Sequence, residues 1–428
     1  MARQQVGQAE RKGQAGFVPV LLGGDANAYG MARSFYEEYG VRSHVICKGA
    51  FHICQNSKLL TVDVTEPNLE DDAVFTRTLL DYAASRGRHA AAQLVLAPCG
   101  DNYTRMLVRN QDALRDAYRF SIMSPSQFNL LSTKERFYRT CERFGLAFPA
   151  ECEVTRASAA GFRPPFPFPV MVKPSNSVAY WNCDYPGKKK AFVARSQDEL
   201  DLILSRVFAS DYDDAMIVQD FVPGDDSRMR VMNCYSSVDG KVRMMTLGDV
   251  LLEEHTPEGI GSYGAIMTGF DADIARRIRG FLEEIGYVGF SNFDMKFDER
   301  DGTYKLFEIN PRQGRSSYFA TASGMNLARY LVRDVVYGEN APCEVALSGK
   351  GMGREVLWTM VPLSVIEEYV HDADVLERAR RLVKAGRVSR SYWTSDDRSV
   401  LRWISYQMNQ RNYRRQYAEC FGRRHVDD

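Results

Sequence analysis

No stretch of the 428 residues gathers the ~20 consecutive apolar side chains that a membrane-spanning helix needs, and the N-terminal residues carry no apolar signal core. The cytoplasm is therefore the expected compartment. An excess of one charge is missing too: 55 Lys+Arg stand against 55 Asp+Glu, so bulk attraction to nucleic acid or to an anionic membrane is not the main business of the chain. The 9 cysteines are odd in number, scattered from Cys47 to Cys420 and never spaced as CxxC. That spacing suggests neither a disulfide framework nor a structural zinc site and fits a reducing compartment. The 6 histidines are too dispersed to suggest a Ser/His/Asp or Cys/His nucleophile, and the Gly/Ser/Lys-rich loop from Ser175 to Lys190 matches no Walker A or GxGxxG pattern. With only 16 Pro, 45% hydrophobic residues and 11% aromatics, what remains is a globular chain able to bury large cores. Its length calls for more than one domain.

Residues 1–16 are polar and Gly/Gln-rich and read as a disordered tail. Strands at Phe17 to Leu22, His44 to Cys47 and Gln93 to Ala97, with a helix from Tyr29 to Tyr39 ended by Gly40, mark residues 17–125 as an open α/β sheet. The loops Gly23-Gly24-Asp25 and Pro98-Cys99-Gly100-Asp101 would face its crevice. A second unit spans 126–340. It opens on the capping box Ser132-x-x-Glu135, whose helix places Phe137, Tyr138, Cys141 and Phe144 on one face. Within it, the proline-rich run at 164–169 is a stiff border leading into the strand Val170-Met171-Val172-Lys173, which is followed by a loop from Ser175 to Lys190, a helix from Gln197 to Phe208 and a strand from Met216 to Val222. Residues 341–428 read as mainly helical and basic, since 376–428 hold 13 Lys+Arg against 6 Asp+Glu.

The chemistry concentrates in a hairpin. Asn292, Asp294 and Lys296 alternate with Phe293, Met295 and Phe297, and Glu308 and Asn310 alternate with Phe307 and Ile309. A three-residue turn Arg300-Asp301-Gly302 would pair Glu299 with Thr303, set Asp294 opposite Glu308 and bring Met295 near Phe307; a two-residue turn would mix the faces. Two facing carboxylates are destabilising alone and call for a cation. Asp294, Glu308 and the Asn310 carbonyl form a hard, anionic oxygen set of the kind that holds Mg²⁺ with nucleotide phosphates completing the shell. The alternative is that Lys296, Lys305, Arg312 or Arg315 neutralises the pair. Lys134 stands in a helix first turn, where the dipole disfavours a cation, and Lys173 ends an apolar strand. An anionic ligand explains both, and the loop Ser175, Asn176, Ser177 through Lys188-Lys189-Lys190 has the composition of a phosphate cover.

In order, Lys134, Val-Met-Val-Lys173-Pro, Ile217-Val-Gln-Asp-Phe-Val-Pro-Gly224, Asn292-Phe-Asp-Met-Lys296 and Phe307-Glu-Ile-Asn-Pro-Arg312 resemble the ATP-grasp superfamily over roughly 126–340. The resemblance implies an α/β (α+β) ATP-grasp fold preceded by a Rossmann-like domain. It also implies ATP and Mg²⁺ as cofactors, two ions with Mn²⁺ as an alternative. On this pattern Lys134, Lys173, Ser175 and Ser177 would attend the phosphates, Gln219, Asp220, Phe221 and Val222 would hold adenine, and Asp294, Glu308 and Asn310 would be the metal ligands. Catalytic charge neutralisation would fall to Lys173, Arg312 and Arg315. The first metal position carries Asp where the superfamily frequently has Glu.

The longer run Phe307 to Tyr318 and the segment Gly23-Gly-Asp-Ala-Asn-Ala-Tyr-Gly-Met-Ala-Arg33 are similar to D-aspartate ligases of peptidoglycan cross-bridge synthesis. That implies a carboxylate-amine ligase acting on an amino acid and an amine acceptor, with a nucleotide-linked cell-wall precursor as the acceptor and the basic C-terminal region as a surface for its diphosphate. Asp25, Asn27 and Arg33 would border the substrate, and His255 is a lesser candidate. Two other readings are a ligase making a dipeptide-like metabolite or nucleotide precursor, and a non-catalytic ATP-binding regulatory module. Both lysines and the full metal trio argue against the latter.

Overall fold

Three largely buried apolar strands, β1 (Phe17–Leu22), β2 (Ser43–Cys47) and β4 (Gln93–Pro98), pair in parallel with a half-exposed edge strand, β3 (Leu60–Thr65), in the order β3-β2-β1-β4. The computed structural model describes residues 16–87, 92–131, 134–256, 259, 261–349 and 351–421, so all but Gly16 of the expected tail lies outside the described residues. The helix Ala26–Tyr39 starts before Tyr29 because Asp25 caps it, accepting from the Asn27 and Ala28 N–H groups; Gly40, at φ 69°, closes it. Because β1 lies between β2 and β4, the loops after β1 and β4 run side by side at the carboxyl ends of the strands. The approach is close: a Cβ on Gly23, whose φ is 139°, would stand 2.7 Å from the Cys99 carbonyl oxygen.

A second sheet, β5 (Glu151–Val154), β6 (Val170–Pro174), β7 (Phe192–Ala194) and β8 (Met216–Asp220), is antiparallel in the order β5-β8-β6-β7. With the helix Gln197–Phe208 it closes a core of its own from Val170, Val172, Val218, Leu200, Leu204 and their neighbours. The helix Lys134–Arg143 precedes it, with Phe137, Tyr138 and Cys141 buried as the periodicity predicts. Ser132 and Thr133 of the expected capping box lie outside the described residues. The span from Ser175 to Lys190 is not all loop, since Ser177–Asn182 forms a short helix capped by Asn176.

The third sheet has eight strands: β9 (Met229–Ser236), β10 (Val242–Glu253), β11 (Tyr263–Gly269), β12 (Gly289–Asp298), β13 (Thr303–Asn310), β14 (Glu344–Val345), β15 (Leu357–Thr359) and β16 (Val388–Arg390). Their order is β13-β12-β9-β10-β11-β15-β16, with β14 beside β10. Phe293, Met295, Leu306 and Ile309 turn their side chains into a core shared with Phe281 of the helix Ala272–Glu284 and with Val20, Leu22 and Ile46 of the first sheet. The C-terminal region is more than a helical extension: β15 and β16 lengthen the large sheet, and the helices Leu363–Tyr369, Ala373–Lys384 and Val400–Cys420 pack around them. Periodicity missed these strands because each is three residues long. Among the described residues no helix is long and apolar enough to cross a membrane.

Candidate active site

The hairpin β12–β13 sets Asp294 directly opposite Glu308 and Asn292 opposite Asn310, as the alternation predicts, but by another route. Asp298, not Glu299, pairs with Thr303, so the turn is one residue longer than expected, and a bulge between Asp294 and Met295 restores the register. Met295 therefore faces Leu306, and Phe307 turns to the opposite side, against the core around Val231 and Tyr263. The Phe307 carbonyl accepts from the Tyr138 hydroxyl at 3.0 Å.

Asp294 is held by two neutral donors, the Tyr263 hydroxyl at 2.7 Å and the Asn310 amide at 2.8 Å. Withdrawal from water, and then the facing Glu308 carboxylate, raise its acid well above the ordinary carboxylate range against the pull of Tyr263 and Arg312. Of the cations proposed from sequence as neutralisers, Lys305 pairs with Asp301, Arg315 with Glu254 and Lys296 donates to the Gly224 carbonyl, while Arg312, which forks onto Asp101 at 2.6 and 2.8 Å, also acts electrostatically on Asp294 and Glu308. Arg312 also reaches the Asn310 side-chain oxygen at 3.2 Å. Among the described residues no three His, Cys, Asp or Glu side chains converge on one point, so protein carboxylates alone do not close a metal shell here. Two facing carboxylates and an amide oxygen fit a hard divalent ion that takes further oxygens from a bound nucleotide. Beside them lies a cavity of about 510 Å³ lined by Asp101, Asn102, Arg105, Glu308, Asn310 and Pro311 among others.

On the small sheet, Lys173 donates to Gln219 Oε1 at 2.8 Å. Gln219 in turn donates to the Tyr138 hydroxyl at 3.1 Å and to Glu151 at 3.2 Å, so Tyr138 links both walls of the crevice. Asp220 spends its side chain on Arg300, which also grips Asp298, and its N–H on the Ala150 carbonyl. An adenine edge could therefore use only the Asp220 carbonyl, not its N–H. Phe221 lies under the Lys296 ammonium, 5.4 Å from the ring centre, and Val222 is buried. Lys296 itself is 9% exposed and donates to the Gly224 carbonyl, which ties the linker to β12. Ser175 is exposed; the side chains of Lys134 and Ser177 lie outside the described residues.

The structure thus brings Lys173 to Gln219 and joins Asp294, Glu308, Asn310 and Arg312, while Arg315 sits apart against Glu254 at 2.7 Å. Arg33 does not border a crevice. It is 4% exposed and bound to the Arg390 and Ser391 carbonyls and to Tyr318. His255 is buried against Asp226 at 2.9 Å and stacks on Phe421. Sequence reasoning missed Tyr263, Glu254 and Tyr413. Asp101 carried a signal, its place at a strand end, and Tyr138 lay on the helix face already read as apolar.

A small antiparallel sheet that carries Lys173 and a large one that carries the paired acids, joined to a parallel α/β sheet, make up the ATP-grasp fold. The same architecture occurs in an L-amino acid ligase from Bacillus licheniformis, at a TM-score of 0.52 and 14% identity over 75% of this chain and 74% of that one. It recurs in the ADP complex of an N5-carboxyaminoimidazole ribonucleotide synthetase, at 0.54 and 16% identity over 87% of each. In sequence the chain is 40% identical, over 410 residues, to the D-aspartate ligase of Enterococcus faecium (strain Aus0004), covering 95% of this chain and 97% of that protein. The protein belongs to the D-aspartate ligase family. No family model matches it.

Proposed function

We propose that the protein joins the β-carboxylate of D-aspartate to the side-chain amine of a lysine in a peptidoglycan precursor, in the cytoplasm, at the expense of ATP. A carboxylate oxygen attacks the γ-phosphorus and ADP leaves, giving an aspartyl phosphate; the amine then attacks the carbonyl carbon, inorganic phosphate leaves and the amine gives up a proton. The observation that carries this reading is the 40% identity to a D-aspartate ligase over nearly the whole chain. The facing acids Asp294 and Glu308 support the phosphoryl-transfer half.

The residues divide the work. Asp294, Glu308 and the Asn310 oxygen would hold Mg²⁺, which would supply charge neutralisation on the phosphates. Lys173 leaves Gln219 for a phosphate oxygen, Lys134 and the serines Ser175 and Ser177 attend the phosphates, and the segment Gln219 to Val222 receives adenine. Arg312 faces the transferring phosphoryl, and Arg315 takes the α-carboxylate through its two-pronged guanidinium. Residues 17–125 and 126–340 serve as the preceding domain and the ATP-grasp domain, with 341–428 completing both.

The test needs no cell-wall precursor. With ATP, Mg²⁺ and hydroxylamine as the amine, D-aspartate should give a hydroxamate and stoichiometric phosphate, and L-aspartate markedly less. A site that reads both α-groups by charged hydrogen bonds leaves one unpaired in the mirror image, at ~1–3 kcal/mol. Equal rates with both enantiomers would discard the stereochemical assignment. Ligation of unrelated amino acids with no response to aspartate would move the protein to another ligase class. A lysine-containing stem peptide in place of hydroxylamine then tests the acceptor.

A further inference from the structure

Four segments far apart in sequence meet around Arg315. The loop after β13 supplies Arg315, the loop after β10 supplies Glu254, the loop after β1 supplies Asp25, and the C-terminal region supplies Tyr392 and Tyr413. Arg315 Nη2 donates to Glu254 Oε1 at 2.7 Å, and the Tyr413 hydroxyl reaches the same oxygen at 3.4 Å. The Glu254 side chain is 11% exposed and that of Arg315 35%, so the acid is the more enclosed of the two. Gly259 packs over the other carboxylate oxygen: a Cβ there would stand 2.7 Å from Glu254 Oε2. Arg315, Glu254 and Asp25 all act electrostatically on the Tyr392 hydroxyl, which bonds with Tyr413. Burial raises the acids of both Asp25 and Glu254, and Arg315 opposes the rise in each.

A second observation points to a missing hydrogen-bond donor. Asn27, 5% exposed, gives its amide N–H to the Gln313 carbonyl at 3.2 Å, which places it between the loops of Asp25 and Arg315. Its amide oxygen is buried and has no partner among the described residues. A buried acceptor of this kind costs stability until something donates to it.

We propose that Glu254, fixed by Tyr413 of the C-terminal helix, is the receptor for the α-ammonium of the amino-acid substrate, with Asn27 as a second acceptor and Arg315 taking the α-carboxylate. This rests on the ligase reading above. Without substrate, Glu254 occupies the guanidinium that the α-carboxylate would use; on binding, the zwitterion inserts between them, its ammonium facing Glu254 and its carboxylate facing Arg315. No covalent step is involved. The site selects α-amino dicarboxylates over dicarboxylates that lack the amine. It also makes the helix Val400–Cys420 part of the substrate site rather than a surface for a diphosphate.

Succinate, which is aspartate without its amine, separates this role from a structural one. In the full-length protein with ATP, Mg²⁺ and hydroxylamine, Glu254→Gln should lower kcat/KM for D-aspartate by roughly ten- to a hundredfold. Its kcat/KM for succinate should not fall, because the neutral amide no longer holds Arg315 against an incoming carboxylate, and its KM for ATP should stay within about twofold of wild type. Tyr413→Phe should raise the D-aspartate KM by a smaller factor with kcat held, and it keeps the inference testable if the first variant folds poorly. Equal loss toward D-aspartate and succinate, or no loss in either variant, overturns the inference while leaving the ligase reading in place. Wild-type protein with no aspartate-dependent phosphate release overturns the ligase reading and this inference with it.

Discussion

The small sheet β5–β8 carries Lys173 and Gln219 on a core that it shares with no other sheet, whereas β12 and β13 hold Asp294 and Glu308 on strands whose reverse sides are sealed into the core of the first sheet. Among the described residues, the ties between the two walls include Arg300 to Asp220, Lys296 to the Gly224 carbonyl, and Tyr138 between Gln219 and the Phe307 carbonyl. The acidic wall is fixed in place with its charges already crowded, a costly arrangement that only a rigid, well-backed strand pair can hold. The lysine wall is a unit with a core of its own, and Lys173 donates there to the neutral amide of Gln219. Such a division lets one side approach a nucleotide while the other stays put.

Each wall can be broken separately. The largest effect is expected on the acidic one: Glu308→Gln keeps size and hydrogen bonding but removes an anionic ligand, and ADP release should fall by roughly a hundred- to a thousandfold with the circular dichroism unchanged. Asn310→Ala, which removes a neutral ligand, should cost less. On the lysine wall, Lys173→Ala should weaken ATP binding or turnover by roughly ten- to a hundredfold, the worth of a charge-assisted phosphate contact, while exposed Lys384→Ala changes neither. The crossing ties come next. Arg300 is 41% exposed, so Arg300→Ala should raise the ATP KM only severalfold, consistent with ~1 kcal/mol or less for a partly solvated pair. The smallest signal needs no mutation. Amide exchange in β5–β8 should run faster than in β9–β12 without ligand, and the gap should narrow with Mg-ATP; uniform protection across both sheets would remove the contrast.

How much of this was legible beforehand follows from what each element depends on. Phe17–Leu22 and Gln197–Phe208 match the sequence reading because their apolar periods and caps are local. The facing of Asp294 and Glu308 was legible too, though a bulge at Phe307 and a longer turn, invisible in an alternating pattern, were needed to produce it. β15 and β16 were not legible, since three-residue strands exist only because a sheet edge is present to pair with them. Tyr413 had no signal at all: its role depends on a helix more than 150 residues after Glu254 crossing the site. Lys296, by alternation a companion of Asp294, instead serves the linker.

Asp397, fully buried, accepts from the Tyr29 hydroxyl at 3.0 Å, from Ser57 at 2.7 Å and from the Lys58 N–H at 2.8 Å, and pairs with Arg402 at 3.2 Å. The end of the chain is thereby sewn to its beginning. On the ribosome, the first sheet and both walls of the crevice emerge well before the residues that brace them. About 100 residues separate Arg312 from Tyr413, on the order of 5–20 s of synthesis. On the proposed reading, a nascent chain would carry its paired acids before its amino-acid pocket, and activity should switch on only when the helix Val400–Cys420 clears the exit tunnel.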